Sequence, residues 1–364
     1  MVTKLCDVCD VRDGTHDSPQ YVLEGYPLVT SKNIIDGKLN LSTINYISKE
    51  DYYKINDRSN VESGDIIMPM IGTIGNPFLV GEYSDFAIKN VALIKFPNDS
   101  INNKYVYYFL KSDNFYRYVT ENNRGGTQKF LSLKDIRNME IPVVDICCQN
   151  RIVEIFEKID LIIDLRKKQL SKLDEFVKSR FIELFGDPIT NSNNLPTEKM
   201  EQRFGLKAGI TTAADDIHDF QEAAYEIPCY GGNGIRGYVK EKSYTGDYPI
   251  IGRQGALCGN VQYATGDFHA TEHAVLVSLL KNDNSVWVYH LLKLMDLYRY
   301  HTGAAQPGLA VKTLNKVEVI VADKTKQEQF AAFVEQTDKS KLAIQKSLEQ
   351  LEALKKSLMQ QYFG

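Results

Sequence analysis

The sequence predicts an α+β molecule made by duplication. Two α+β domains are each followed by a long helix, and the helices pair as an antiparallel coiled coil with internal pseudo-two-fold symmetry. Three observations predict this. Residues 125–186 align without a gap on residues 303–364, and about 17 of the 62 aligned positions are identical. Inside that repeat, apolar residues recur at three- and four-residue spacing, the period of a helix. Upstream of it, each copy alternates short β-type runs with Gly- and Asn-rich turns.

The elements follow in order. Residues 1–144 read as the first α+β domain, with strands over 65–68 and 91–96 and one helix near 103–116. Residues 145–186 read as the first long helix, with a seam through Ile152, Ile159 and Leu173. Ile162 and Phe176 belong to the same apolar period. Residues 187–322 read as the second domain, with strands over 248–252 and 274–280 and a helix near 286–300. Residues 323–364 read as the second long helix, with Phe330, Leu348 and Leu351 on its seam and Leu354 in its period. Asp145 and Asp323 are placed as N-caps, and Gly186 and Gly364 as stops, with Pro188 just past the first. Each helix would run about 148–184 or 326–362, on the order of 50 Å at 1.5 Å per residue. A narrow seam on so long a helix calls for a partner, and the copy joined through 187–322 supplies an antiparallel one.

The identical pairs include Gln128 with Gln306, Glu140 with Glu318, Gln149 with Gln327 and Asp160 with Asp338. Further upstream the copies match loosely: Gly75-Asn76 lies on Gly259-Asn260, and 26–29 on 227–230. A constant frame carrying two variable modules puts one question to two different ligands.

Composition excludes several classes. Hydrophobic residues are 43% and charged residues 25%, ordinary for a globular protein. The longest apolar runs, such as 274–277, are too short to span a bilayer. The N-terminal residues carry no apolar signal core, and six cysteines form no disulfide framework. The expectation is a cytoplasmic protein with no membrane contact. Cys6-x-x-Cys9 lacks a second pair at zinc spacing, so buried free thiols and no metal are expected. The net charge of −4 weighs against a protein that grips nucleic acid unaided. A DNA reader of this composition must place its positive charge locally or share phosphate contacts with a partner.

Motifs for catalysis fail on context. Gly232-x-Gly234-x-x-Gly237 matches the dinucleotide-binding pattern, but no helix follows to hold a pyrophosphate, so a tight loop is expected. His269-Ala270-Thr271-Glu272-His273 matches an inverted zinc-protease motif, yet it leads into a strand-like run, where i and i+4 do not share a face as on a helix. Neither an Asn-Pro-Pro-Tyr tetrapeptide nor a helicase phosphate loop is present. No catalytic residue is expected.

The remaining candidates suit DNA. Arg124, Gln128 and Lys129 lie in a small, polar, basic segment over 122–130, and Gln306 lies in its counterpart over 301–308. Asn233 and Arg236, then Arg253 and Gln254, mark two similar loops in the second copy. Lys32 and Asn33, with Thr73 and Asn76, mark the analogous loops of the first. Gln and Asn pair bidentately with adenine, and Arg or Lys with guanine.

Two variable domains, each followed by a related helical region ending in Phe185-Gly186-Asp187-Pro188 or Phe363-Gly364, resemble the specificity subunit of a type I restriction-modification system. The segments over 227–237 and 124–132 are similar to those of its target-recognition domains. The resemblance implies that each variable domain binds one half of a split, asymmetric double-stranded DNA target, with the paired helices as spacer. It implies two methyltransferase (modification) subunits that use S-adenosylmethionine, and restriction subunits that use ATP. It implies no cofactor on this chain. On the residues alone, three other readings stay open: the recognition subunit of a related bipartite-site system, a coiled-coil scaffold without sequence-specific DNA binding, and an enzyme whose site is unrecognised.

Overall fold

The computed structural model describes residues 1–71, 74–82, 85–122, 130–303 and 307–364. The chain divides into two compact units, residues 1–166 with 346–364, and residues 167–345. The division falls inside both long helices, Ile146–Phe185 and Lys324–Phe363, each 40 residues.

In the first unit, Val91–Lys95 and Ile66–Pro69 are almost unbroken apolar runs, and both are buried on both faces. They are therefore the central strands of a four-stranded antiparallel sheet, ordered Asp10–Asp13, Val91–Lys95, Ile66–Pro69, Phe78–Leu79. A second sheet runs Ala87–Ile88, Tyr26–Val29, Asn45–Ile47, Tyr21–Val22, with the first pair parallel. The second unit repeats the plan. Phe204–Ala208, Ala274–Leu279, Tyr248–Gly252 and Val261–Ala264 form its antiparallel sheet. Its other sheet again contains one parallel pair, Ile227–Gly231 with Asp267–Ala270. Gly14 and Gly209 hold the same place in both, since a Cβ would lie 2.4 Å from the Ile88 oxygen or 2.3 Å from the Ala270 oxygen.

The helix expected near 103–116 is two helices, Asn103–Phe109 and Asp113–Asn122, with the Ser112 hydroxyl accepting from the Phe115 amide at 3.2 Å. The one expected near 286–300 ends at Leu294, because Asp296 turns left-handed (φ 48°) and a 3-10 turn, Leu297–Tyr300, follows. In each case a local turn competes with continuation of the helix.

In the first unit the beginning of the first long helix packs beside the end of the second. Phe156 stacks on Phe363 with centroids 6.0 Å apart, Tyr105 meets Phe363 edge-on at 5.1 Å, and Lys355 pairs with Asp160. In the second unit the order reverses: Phe181 meets Phe330 at 5.3 Å, and Lys341 pairs with Asp174 at 2.7 Å. The helices are therefore antiparallel in both units. Asp145 and Asp323 cap them, accepting from the amides of Cys148 and of Thr325 and Lys326. Gly186 stops the first at φ 79°. On the expected seam, Ile152, Ile159 and Phe330 are buried, whereas Leu173, Leu348 and Leu351 are half-buried. Ile162, Phe176 and Leu354 are corrected: they share the apolar period yet are 40%, 55% and 48% exposed. One partner helix covers a stripe narrower than the apolar face presented to it.

Candidate nucleic-acid interface

Each unit ties the N-cap of a short helix to a long helix through one buried glutamine. Gln149 donates to the Val144 carbonyl and accepts from the Asn102 amide, both at 2.8 Å. Gln327 donates to the Ala322 carbonyl at 3.0 Å and accepts from the Asn284 amide at 2.8 Å. Asn102 and Asn284 in turn cap the helices that begin at Asn103 and Ser285. The identity of the two glutamines across the repeat was the signal for this joint, which periodicity does not reveal.

In the second unit the fold gathers three of the singled-out loops. Gly232-Asn233 forms the two-residue tip of the hairpin joining Ile227–Gly231 to Gly234–Val239, with Gly234 at φ 98°. The dinucleotide-like glycines thus serve a tight turn. The tip presses on Gly252, where a Cβ would lie 1.8 Å from the Gly232 oxygen. Arg253 follows, its amide donating to the His273 carbonyl at 3.0 Å. Gln254 bridges to Gly308, and the Gly255 amide donates to the Pro307 carbonyl at 3.0 Å. Asn233, Arg236 and Gln254 are exposed, and Arg253 is half-buried. Asn260 was not singled out in the sequence; its side-chain amide donates to the Asn233 side-chain oxygen.

In the first unit, Lys32 is exposed on the turn Ser31–Asn33, and Asn76 is half-buried close to the Asp36-Gly37 turn. Asn33 is corrected. It is 3% exposed, and its side chain accepts from the Thr30 amide and hydroxyl and donates to the Asn40 carbonyl. Every polar group it has is committed to its own loop, so it shapes that loop and does not face a ligand. Thr73, Arg124, Gln128, Lys129 and Gln306 lie outside the described residues.

His269 sits on the strand Asp267–Ala270, bonded to the hydroxyls of Thr212 and Ser243, and burial pushes its pKa down. Among the described residues, no three or more His, Cys, Asp or Glu groups are placed to hold a metal. Cys9 is a buried thiol pushed up to about 12 by that burial. Among the described residues no helix is long and apolar enough to cross a membrane.

A model of the type I restriction modification DNA specificity domain matches residues 1–175 and 213–355. The chain belongs to this family. Among curated specificity-domain proteins, the EcoprrI specificity subunit of Escherichia coli is 38% identical over 208 residues, 54% of this chain and 50% of that protein. The MjaVIII specificity subunit of Methanocaldococcus jannaschii is 23% identical over 184 residues, 49% of this chain and 43% of that one. The chain thus spans about half the length of the curated relatives it matches. Two solved structures share the fold over 100% of this chain. The S subunit from M. genitalium does so with TM-score 0.62 and 16% identity, covering 96% of that chain. A chain from work on complex assembly and conformational transition of the type I R-M system does so with TM-score 0.63 and 15% identity, covering 97%.

Proposed function

We propose that this specificity-family chain is the non-catalytic DNA-recognising subunit of a type I restriction-modification complex in the cytoplasm. Each unit reads one half of a bipartite, asymmetric duplex target. The observation that carries this is the internal repeat: one sheet-and-loop architecture occurs twice, each time with a short helix tied by its cap through a buried glutamine to a long helix. Two copies of one frame with different loops suit two different half-sites. A chain of net charge −4 needs help with phosphates, which methyltransferase and restriction partners would supply. S-adenosylmethionine would be bound by the former and ATP by the latter, with no cofactor on this chain. Apolar positions left open on the long helices, Leu161 and Leu165 in the first unit and Phe176 and Leu342 in the second, give each unit a surface for one methyltransferase.

The test is co-purification with a methyltransferase partner, followed by selection from a randomised duplex library. Two methyltransferases per chain and an enriched two-part sequence are expected. A stable complex with a single methyltransferase would remove the proposed stoichiometry. A complex that enriches no sequence would remove the recognition role.

A further inference from the structure

We propose that Asn233 and Asn260 act together as a reader of the major-groove edge of an adenine, a specificity-determining pair in the second unit. This rests on the recognition role proposed above. The two side chains are joined by a hydrogen bond between their amides. An amide has one carbonyl acceptor and one NH2 group. Once the pair is joined, one side chain has spent an N–H on the contact and the other its oxygen. The pair then leaves unspent the NH2 of one side chain and the carbonyl oxygen of the other. Rotating both amides exchanges the two roles and leaves the unspent set unchanged, one donor and one acceptor.

That set discriminates among bases. Adenine offers the N7 acceptor and the N6 amino donor in the major groove, which match it in both places. Guanine offers two acceptors, N7 and O6, so one would meet the amide oxygen. Thymine offers an acceptor with a methyl group, and cytosine a donor alone, so each leaves half of the pair unmatched.

The backbone beneath the pair is held on three sides. Asn233 sits on the two-residue hairpin tip pressed against Gly252. Asn260 closes the loop after Gly252: its carbonyl accepts from the Gly252 amide at 2.8 Å, and the Gly259 amide donates to the Gly252 carbonyl at 2.7 Å. Gly259 lies at φ 85°, where a Cβ would be 2.5 Å from the Tyr298 nitrogen. Asn233 is exposed and Asn260 half-buried, so the pair borders solvent. In the first unit the matching turn also carries an asparagine, Asn76, whose side-chain oxygen lies 3.8 Å from where a Cβ on Gly37 would be. Among the described residues the first unit has no such amide pair at that turn, so the reader is assigned to the second unit's half-site.

The test selects bound sequences from a randomised duplex library, using the full chain in the methyltransferase complex proposed above. The wild type is expected to require an adenine at one position of one half-site. The double variant Asn233→Leu with Asn260→Leu, which leaves neither amide, should cut that preference by roughly 5- to 150-fold at that position alone, the discrimination one bidentate pair supplies. A duplex carrying 7-deazaadenine there lacks the N7 acceptor; it should weaken wild-type binding and leave binding by the double variant no weaker. That arm reads the contact with the native protein, whatever the double variant does to folding. If the double variant keeps every adenine preference, or 7-deazaadenine costs nothing at any adenine of that half-site, the pair is not the reader and the recognition role stands. If the wild-type complex enriches no sequence, both proposals fall.

Discussion

Arg203 shows how one position of the duplicated frame has two physical solutions. It is buried and pairs with the buried Asp283 at 2.6 Å, and Gln327 also donates to that carboxylate at 2.9 Å. In the first unit the corresponding places, at the end of the helix Leu5–Val8 and just before Asn102, are Val8 and Ile101, both packed in the core. Removing one partner of a buried pair leaves an uncompensated charge, so Arg203→Ala should cost about 3–5 kcal/mol. The double change Arg203→Val with Asp283→Ile, which installs the first unit's pair, should restore most of that. Fluorescence of Trp287, the single tryptophan and part of the same core, reads both. His290 gives a pH signature. Burial, then Lys293 and Lys341, push its pKa from 6.5 down to about 3 against the opposing pull of Asp174. Between those values the unfolded chain takes up a proton that the folded one does not, so stability falls as pH drops through that window. His290→Phe should show a shallower loss of urea midpoint between pH 7 and pH 4; parallel curves for the two proteins would contradict it.

The hairpin tip at Gly232 is the element whose packing admits least change. A Cβ on Gly252 would sit 1.8 Å from the Gly232 oxygen, so the tip or the strand must move. Gly252→Ala should therefore weaken binding to the half-site proposed for the second unit at least tenfold while leaving the other half-site's sequence preference as it is, measured by the same library selection. Unchanged binding would show that the tip does not position a DNA contact. The buried strands and the long helices were legible from the sequence because burial imposes its period directly, as in the apolar runs over 65–68, 91–96 and 274–280; the helix Lys49–Ser59, mostly polar, was not. Contacts between loops were not legible. Asn260 lies 27 residues from Asn233, and nothing periodic marks two residues that meet only through sheet packing.

At the scale of the whole molecule, both long helices run unbroken from one unit into the other, at Arg166–Lys167 and at Gln345–Lys346. Four residues inserted between Arg166 and Gln169 add about 6 Å of helix. If helix length sets the separation of the half-sites, the preferred spacer should grow by one or two base pairs, at about 3.4 Å each, with both half-site sequences kept. Methylation mapping on a series of spacer lengths checks this, and an unmoved optimum in a folded, active complex would refute it. The sequence by itself determined the duplication, the two helices with their caps, and the antiparallel sense of their pairing. A repeat without gaps and an apolar period are local properties of the chain, and a single connecting domain favours the antiparallel return. Tertiary structure alone decided that Asn33 is spent on its own loop, that Gln149 and Gln327 tie the caps of the short helices to the long ones, and that Asn233 meets Asn260. These depend on which side chain reaches which partner across the fold, and hydrogen-bond geometry at that range leaves no trace in spacing along the chain.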